Sequence, residues 1–432
     1  MAATDAATVW RTARSRSATG GMVGDEGSGT VGRLATRPAE TIPACAALLA
    51  VFFCADGRLA EARGVVQKLA LSMLCENPRR RTGLSTLFPE FVAAALRQFP
   101  DVSWVLFAGP EQPWPLDDER VEVVREFPSN ERLATRLWAD HFRVGPAARA
   151  RGAQALLTVG FVPLRPAGLP VVMHVFAVPP TTGGGLRQVY RRAVVRRGLE
   201  RAALVIANSH WTAEKLGAAR APVLVSHEGL QRERFRLEGP RGRTDLAPGY
   251  VLWASNFYPY KRVELALSAY AKLAPDLRAR HPLVLAGGDW DDGRAQAEAM
   301  AHALGISESV RFLGWVSDEE LPSLYRGARV HVLPTREETF GRSVTEAMAC
   351  GCPCLLQDLP VLREVAEDAA EYIDFADMAA AATALERLCR DDARAAELRA
   401  RGLRRAEAFS FDRLARERIE AILKILEKGG RA

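Results

Sequence analysis

From Lys68 onward, short apolar segments alternate with amphipathic helical segments along the chain. Such an alternation predicts βαβ units, which assemble into open, mainly parallel sheets with helices on both faces. Two series of this kind are separated by residues 237–249, whose glycine, proline and charged residues are typical of a linker. A length of 432 residues is sufficient for two domains with separate cores. The predicted fold class is therefore α/β, with two Rossmann-like, doubly wound domains that face a central cleft.

The predicted elements follow this alternation in both series. In the first series we expect strands at residues 69–75, 102–109, 121–124, 155–159, 170–175, 202–208 and 222–226, and helices at 88–98, 131–143, 186–197 and 212–219. In the second we expect strands at 250–255, 282–287, 310–314, 328–334, 353–358 and 371–374, and helices at 261–274 and 344–350. A last helix at 411–426 is amphipathic. The predicted organisation is an N-terminal extension (1–66), a first domain (67–240), a linker (241–249), a second domain (250–408) and a C-terminal helical segment (409–432).

The first 66 residues differ from the rest of the chain. Residues 1–40 are rich in Ala, Thr, Gly, Ser and Arg without apolar periodicity, which predicts disorder. The apolar run at 42–55 is short for a bilayer span and starts too far in for an ordinary signal peptide. A loosely attached extension or an over-long start is therefore favoured over a late signal sequence or a membrane-contacting segment.

Cysteine usage and net charge restrict the class of protein further. The seven cysteines form no disulfide framework, and Cys350, Cys352 and Cys354 enter a predicted buried strand with no histidine nearby. We therefore expect structural, reduced cysteines and a cytoplasmic protein. A net charge of +6 suits an anionic substrate or a membrane surface but requires neither.

One motif in the second series indicates a ligand site. The stretch Glu338-Thr-Phe-Gly-Arg-Ser-Val-Thr-Glu346 joins a buried strand to a short helix. The free backbone N–H groups at a helix N-terminus suit a diphosphate, and the flanking carboxylates can accept hydrogen bonds from hydroxyls. Together these features suit a nucleotide-sugar. An alternative for Glu346 is a capping box with Ser343, in which its carboxylate serves only the helix.

Other candidate residues have two interpretations each. Lys261 and Arg262 follow a strand and begin a predicted helix, where a cation is unfavourable unless an anion binds beside it; the alternative is a solvated lysine. His174 ends an apolar strand and is expected to face the cleft, although a lone histidine there is more often structural. Gly83 lies in a strand-to-helix loop, where glycine allows close approach of a ligand.

Three further features have a plain alternative to a functional role. The arginines at 79–81 could face an anionic acceptor or solvent, and solvent is favoured. The acidic residues of 286–292 resemble an Asp-x-Asp metal motif, but we interpret them as loop residues. The basic helix at 187–197 fits an acidic membrane surface and a solvated face about equally well.

The motif resembles the Glu-x7-Glu motif of the retaining glycosyltransferases of family 4, part of glycosyl transferases group 1, which have the GT-B fold. The resemblance covers residues 68–428 and is densest over 310–374. It implies that the last helix crosses back onto the first domain. Two positions depart from the family pattern: Asn256 stands where an arginine is usual, and Val175 stands where an aspartate usually follows the histidine.

The resemblance implies a retaining transferase that moves a sugar from a nucleotide-sugar donor to the hydroxyl of a glycan or lipid-linked acceptor. The context of Lys261 is similar to that of mannosyltransferases of surface-polysaccharide assembly, which makes GDP-mannose the first candidate among NDP-hexoses. No metal and no other cofactor is expected, and no nucleic-acid partner. The protein would be cytoplasmic, with peripheral contact at the inner face of the membrane left open.

Residue roles follow from the same resemblance. The catalytic residues would be His174, Lys261 and Glu338. The first glutamate would contact the transferred sugar, the second the ribose, and the strand end at Phe312 and Leu313 the nucleobase. No general base is evident, since the departing phosphate oxygen is thought to take the acceptor proton. The full set of implied donor-binding residues is Gly83, Arg262, Phe312, Leu313, Phe340, Gly341, Arg342, Ser343, Val344 and Glu346.

Two other functions are compatible with the sequence. Asn256 and Val175 are compatible with a protein that kept the fold as a nucleotide-sugar-binding scaffold and lost turnover. A nucleotide-sugar epimerase is the weaker alternative, because that class lacks a Phe-Gly turn between paired glutamates.

Overall fold

The computed structural model describes residues 67–76, 83–128, 130–178, 185–243, 245–289 and 292–429. Residues 66–432 form one compact unit. The expectations for the N-terminal extension and for the arginines at 79–81 fall outside the described residues. Among those that are described, no helix combines the length and the apolar character needed to cross a bilayer.

The first parallel sheet has the order β3-β2-β1-β4-β5-β6-β7. Its strands are β1 (Gln67–Ser72), β2 (Val102–Phe107), β3 (Val121–Val124), β4 (Ala155–Val159), β5 (Val171–Val175), β6 (Leu204–Ala207) and β7 (Val223–Val225). Its helices are α1 (Leu84–Gln98), α2 (Leu133–Phe142), α3 (Val144–Ala150), α4 (Leu186–Arg201) and α5 (His210–Leu216). The central strands are apolar and buried along their length, as a sheet covered on both faces requires.

The second parallel sheet has the order β10-β9-β8-β11-β12-β13. Its strands are β8 (Val251–Ala254), β9 (Leu283–Ala286), β10 (Val310–Gly314), β11 (Val330–Leu333), β12 (Cys354–Gln357) and β13 (Ala370–Ile373). Its helices are α6 (Val263–Ala271), α7 (Pro275–Arg280), α8 (Gly293–Ala303), α9 (Leu321–Gly327), α10 (Arg342–Ala349), α11 (Pro360–Ala366), α12 (Met378–Arg390) and α13 (Asp392–Ala406). The predicted strands therefore correspond to strands of the structure, with ends that differ by a few residues.

Two helix predictions differ from the structure. The segment predicted as one helix at 131–143 continues into a second helix, α3, after Arg143. The helix predicted from Lys261 begins only at Val263, because Pro259–Lys261 forms a 3-10 turn and Arg262 has a left-handed backbone with φ of 52°. Lys261 therefore lies in a turn before the helix and not in its first turn.

The last helix, α14 (Phe411–Gly429), packs against α1 of the first sheet. Its apolar side chains Leu414, Ile419 and Ile422 are buried in the same cluster as α1 residues. Each such side chain contributes about 1.5–3 kcal/mol when fully buried. The helix therefore crosses back onto the first domain, as predicted.

In both sheets the strand order reverses next to the first strand of each series, between β1 and β4 and between β8 and β11. Ligands in open α/β sheets bind beyond the carboxyl ends of the strands at such a reversal. The loops that follow β1, β8 and β11 are therefore where a site is expected.

Candidate functional site

A cavity of about 420 Å³ lies at these strand ends. The loops after β8 and β11 supply most of its wall, and the first domain closes it through Gly83, Thr86 and Glu228. Among the described residues of the second domain, the charged side chains that line it are Lys261, Asp318, Glu338, Arg342 and Glu346. The structure therefore brings both glutamates of the sequence motif into one cavity with two cations.

The turn before α10 depends on Gly341. Its φ is 95°, a left-handed conformation, and a Cβ atom there would come within 2.9 Å of a Leu362 methyl group. Val344 N–H donates to the Gly341 carbonyl at 2.9 Å, which closes the first turn of the helix. The amides of Arg342 and Ser343 precede this bond and have no intrahelical acceptor by helix geometry. The helix N-terminus at the cavity can therefore hold an anion.

Glu346 serves the cavity and not the helix start. The helix begins at Arg342, and no side chain caps it, so the capping box with Ser343 is not formed. The Tyr325 hydroxyl donates to Glu346 at 3.2 Å, and an Arg342 Nη atom lies 3.8 Å from its other oxygen. Burial raises the pKa of Glu346, and Arg342 partly opposes that shift. The carboxylate is therefore held in place for a polar ligand.

Glu338 and Lys261 form an ion pair across the cavity wall. Their side chains are only 12% and 14% exposed, so the pair is shielded from water more than a surface pair. Arg336 N–H donates to the Tyr260 carbonyl at 2.8 Å, which joins the loop of Lys261 to the loop of Glu338. Burial and the nearby Glu338 raise the pKa of Tyr260 to about 12.

The second cation of the cavity is Arg342 and not Arg262. An Nη atom of Arg342 donates to the Gly83 carbonyl, and its Nε atom lies 3.8 Å from Glu228. Arg262 is absent from the cavity lining; its Nε atom lies 3.9 Å from Glu264. Of the two arginines that the sequence predicted among the donor-binding residues, the structure thus places Arg342, and not Arg262, beside the helix N-terminus at the cavity.

Asn256, the departure from the family pattern, has a local role. Its side-chain oxygen accepts from Gly288 N–H at 2.9 Å, which joins the loops after β8 and β9. These loops approach so closely that a Cβ at Gly287 would lie 1.7 Å from the Ser255 carbonyl oxygen. Asn256, whose side-chain amide joins these two loops, thus occupies the position at which the family pattern has an arginine.

His174 is not at the cavity wall, contrary to the expectation that it faces the cleft. It is fully buried, stacks on Phe176 at a centroid distance of 6.0 Å, and meets Phe88 edge-on at 5.5 Å. Burial and the positive charge of Arg418 lower its pKa. Strand β5 ends in an aromatic cluster here, so the imidazole is enclosed before it can reach the cavity.

The other predicted residues divide into lining and supporting positions. Gly83 lies in the wall, and a Cβ there would come within 2.8 Å of the Arg342 guanidinium. Phe340 is in the lining, but its buried ring packs on Phe409 at 5.6 Å. Phe312 and Leu313 do not line the cavity; the residues after them, Trp315 and Val316, do. Ser343 also lines it, whereas Val344 is buried in the core of the second domain.

Thr339 joins the two domains, a role that the sequence did not reveal. Its hydroxyl donates to the Phe176 carbonyl at 2.9 Å, and its own carbonyl accepts from Ser209 at 2.7 Å. Glu364 makes a second connection by accepting from the N–H groups of His210 and Trp211 at the start of α5. The loop that carries Glu338 is therefore fixed by the first domain.

Glu228 and Trp315 were also missed. Glu228 is 6% exposed and accepts from the Asn208 amide at 2.9 Å, which directs it to the cavity. Trp315 is 64% exposed and stands in the wall. The sequence does contain a signal for each residue. Glu228 precedes a glycine shortly after the last strand of the first series, and Trp315 is an aromatic residue directly after a strand.

The cysteine triplet lies in the interior of the second domain. Cys350, Cys352 and Cys354 are buried, and burial raises the pKa of Cys350 and Cys354 to about 12. Within the part of the chain that the structure describes, no three His, Cys, Asp or Glu side chains are arranged as a metal site.

Residues 241–405 match the family described as Glycosyl transferases group 1. The chain is similar to the O-antigen chain mannosyltransferase B of Escherichia coli, with 35% identity over 40% of this chain and 45% of that protein. It is also 32% identical to the D-inositol 3-phosphate glycosyltransferase of Streptomyces bingchenggensis, over 49% and 50% of the two chains. The chain thus spans about half the length of these curated relatives.

Solved structures share the fold. Sucrose-phosphate synthase from Thermosynechococcus elongatus superimposes with a TM-score of 0.70 at 20% identity, over 84% of this chain and all of that one. WaaG, a glycosyltransferase of lipopolysaccharide biosynthesis, gives a TM-score of 0.66 at 16% identity, over 81% and 98% of the chains. Anabaena HepE in complex with UDP and glucose gives 0.63 at 17% identity, over 83% and 100%. The predicted GT-B fold and the predicted group 1 domain are confirmed; family 4 and the retaining mechanism stay predictions.

Proposed function

We propose that this chain, whose residues 241–405 are a glycosyl transferases group 1 domain, transfers a hexosyl group from a nucleoside diphosphate sugar to an acceptor hydroxyl with retention at the anomeric carbon. One observation carries the proposal. Lys261, Arg342 and the N-terminus of α10 converge on a cavity that also presents Glu338 and Glu346. Anion-binding groups and hydroxyl acceptors thus occur in one site, which is the combination that a nucleotide-sugar needs.

The diphosphate would bind at the cations and the helix N-terminus. Lys261 supplies a point charge, Arg342 a planar guanidinium with several donors, and α10 its first amides. Negative charge grows on the diphosphate as the bond to the sugar breaks, so fixed donors there stabilise the transition state more than the ground state. These cations supply the positive charge without a metal, and metal independence is part of the proposal.

The two glutamates would hold the hydroxyl-bearing parts of the donor. Glu338 would orient the transferred sugar, and Glu346 would accept from the ribose hydroxyls. Entry of the diphosphate gives Lys261 a second anionic partner, which frees Glu338 to accept from the sugar. Trp315 offers an exposed aromatic face at the cavity wall on which the nucleobase can stack.

The reaction would take place on one face of the sugar. The bond between the anomeric carbon and the phosphate oxygen breaks, and a bond to the acceptor oxygen forms on the same side. The acceptor proton passes to the departing phosphate oxygen, which becomes part of the nucleoside diphosphate product. The burial of His174 away from the cavity supports a mechanism in which that imidazole takes no proton.

GDP-mannose is the first candidate donor. The similarity to an O-antigen chain mannosyltransferase supports mannose as the sugar. The Anabaena neighbour binds UDP and glucose, so a uridine nucleotide and glucose are the alternative base and sugar to test. The acceptor would be a glycan or a lipid-linked glycan in glycoconjugate assembly. The protein would work in the cytoplasm.

Peripheral contact with the inner face of the membrane is part of the proposal. Leu186 and Val189 are 90% and 51% exposed at the start of helix α4, which carries many arginines. Apolar side chains beside cations suit an anionic lipid surface.

Thermal melting of the full chain with UDP, GDP and ADP tests the donor site. A ligand that binds only the folded state raises the melting temperature, and the shift is expected with one nucleotide. Lys261→Ala and Glu346→Ala should both lose it. Transfer from the matching nucleotide-sugar, followed by proton NMR of the product, then reports the anomeric configuration.

The outcomes separate the competing functions. Nucleotide binding without transfer or donor hydrolysis would support the scaffold alternative, and a product of altered sugar configuration would support an epimerase. No shift with any nucleotide would contradict the donor site itself.

A further inference from the structure

A second cavity of about 280 Å³ adjoins the first. Thr86 and Asp318 lie in the walls of both cavities, so a molecule in the second lies beside a molecule in the first. Pockets for small ligands enclose about 300–1,000 Å³, and the volume of this cavity lies just below that range. It suits a small, compact group and not a long chain.

The walls of the second cavity come from the first domain and from one loop of the second. Helix α1 contributes Pro89 and Glu90, and the segment after β2 contributes Gln112 between Gly109 and two prolines, Pro113 and Pro115. Prolines fix the backbone and leave apolar ring surfaces in the wall. A ligand therefore binds to a wall that loses little conformational freedom.

The charges of the wall are mainly negative. Among the described residues, Glu76, Glu90 and Asp318 line the cavity, against one cation, Arg234. Glu76 is 2% exposed and accepts from Ser85. Carboxylates in a partly buried site repel a phosphate and accept hydrogen bonds from hydroxyls.

Arg234, the one cation among the lining residues that the structure describes, is engaged by protein groups. Arg234 Nε donates to the Asp318 carbonyl at 2.6 Å, and an Nη atom donates to the Gln231 side-chain oxygen at 3.0 Å. The Gln231 amide in turn donates to Glu90 at 2.7 Å. The guanidinium therefore organises the amide and the carboxylate and does not stand ready for an anion.

We propose that the second cavity binds an uncharged, hydroxyl-rich sugar of the acceptor and discriminates against a phosphorylated one. The proposal rests on the proposed function, because it makes the first cavity the donor site. Glu90 and Gln231 are the specificity-determining pair: a carboxylate and an amide, held by one hydrogen bond, that together accept from and donate to sugar hydroxyls. The proline surfaces receive the apolar face of the ring.

The test uses the full chain and matched pairs of probes. Saturation-transfer NMR measures binding of the methyl α-glycosides of mannose, glucose and galactose and of the 6-phosphate of each. Neutral glycosides should bind and their phosphates should not. In Glu90→Gln the dissociation constant of the neutral glycoside should rise by about tenfold, the loss of one hydrogen bond to a charged group. Glu111→Gln, an exposed carboxylate outside the lining, is the control and should show no change.

The results distinguish this proposal from the donor proposal. Nucleotide binding in the melting experiment should be unchanged in Glu90→Gln, since Glu90 does not line the first cavity. Preference for the phosphates, or glycoside binding that is the same in Glu90→Gln, overturns the acceptor proposal even when a nucleotide binds. Absence of nucleotide binding overturns the donor proposal, while the glycoside titrations still decide what the second cavity accepts. Circular dichroism verifies that each variant is folded.

Discussion

Replacement of Arg342 by leucine is expected to weaken the binding of a nucleoside diphosphate. The affinity for the corresponding nucleoside, which has no phosphates, should not change. The guanidinium lies in the wall of the 420 Å³ cavity beside the first amides of α10, and its side chain is 25% exposed. A hydrogen bond to a charged partner in such surroundings contributes about 1.5–3 kcal/mol. The dissociation constant of the diphosphate should therefore increase by about 10- to 150-fold.

The chain offers a matched control in Arg262. It follows Lys261 directly and was, like Arg342, expected from the sequence to bind the donor, but its side chain lies outside the cavity wall. Arg262→Leu should change the dissociation constant by less than about twofold. Isothermal titration of both variants with UDP, GDP, ADP and the three nucleosides makes the comparison.

Two results would refute this reasoning. One is a loss of diphosphate affinity in Arg262→Leu as large as that in Arg342→Leu. The other is an equal loss of nucleoside affinity in Arg342→Leu, which would mean that the variant disturbs the cavity through its contact with the Gly83 carbonyl and not through the phosphate.

Three further predictions concern the frame of the site. Gly341→Ala should lower the free energy of unfolding by more than the control Gly152→Ala does, as measured by urea titration of both variants. Both glycines have a left-handed backbone, which costs alanine about 1–2 kcal/mol, but a Cβ at Gly152 meets no neighbour within 4 Å. Burial raises the pKa of Glu346 above its ordinary 4.5, so wild-type stability should fall relative to that of Glu346→Gln as pH rises through 4.5. Equal slopes of stability against pH in the two proteins would contradict this. Thr339→Val should cost about 1 kcal/mol, seen as a lower melting temperature, because the Phe176 carbonyl loses its donor.

The sheets and the main turn of the site could be predicted from local sequence. Strands such as Val251–Ala254 and Leu283–Ala286 are short, apolar and bounded by turn residues, so their limits are local properties. Gly341 could be predicted because a strand-to-helix turn beside a ligand favours a residue that tolerates positive φ. Glu338 and Glu346 flank that turn, and the chain itself fixes their separation.

The ends of long side chains could not be predicted in the same way. Arg342 reaches the Gly83 carbonyl of the other domain, 259 positions away in the sequence, and no local pattern encodes that contact. His174 lies near the end of a buried strand, as predicted, but its neighbour in space, Phe88, comes from helix α1, which is distant in the sequence. Lys261 precedes its helix because Pro259 starts a 3-10 turn that apolar periodicity does not detect.

The hydrogen bonds of Thr339 to Phe176 and Ser209 have a consequence for how this protein could be recombined. If the second domain were joined to the first domain of another protein, the Glu338 loop would lose the Phe176 carbonyl and the Ser209 hydroxyl that hold it. Its glutamate would then point correctly only if the new partner carried the same two groups in the same places. The two domains can therefore be exchanged between proteins of the same fold only where the contacts between the domains are also kept.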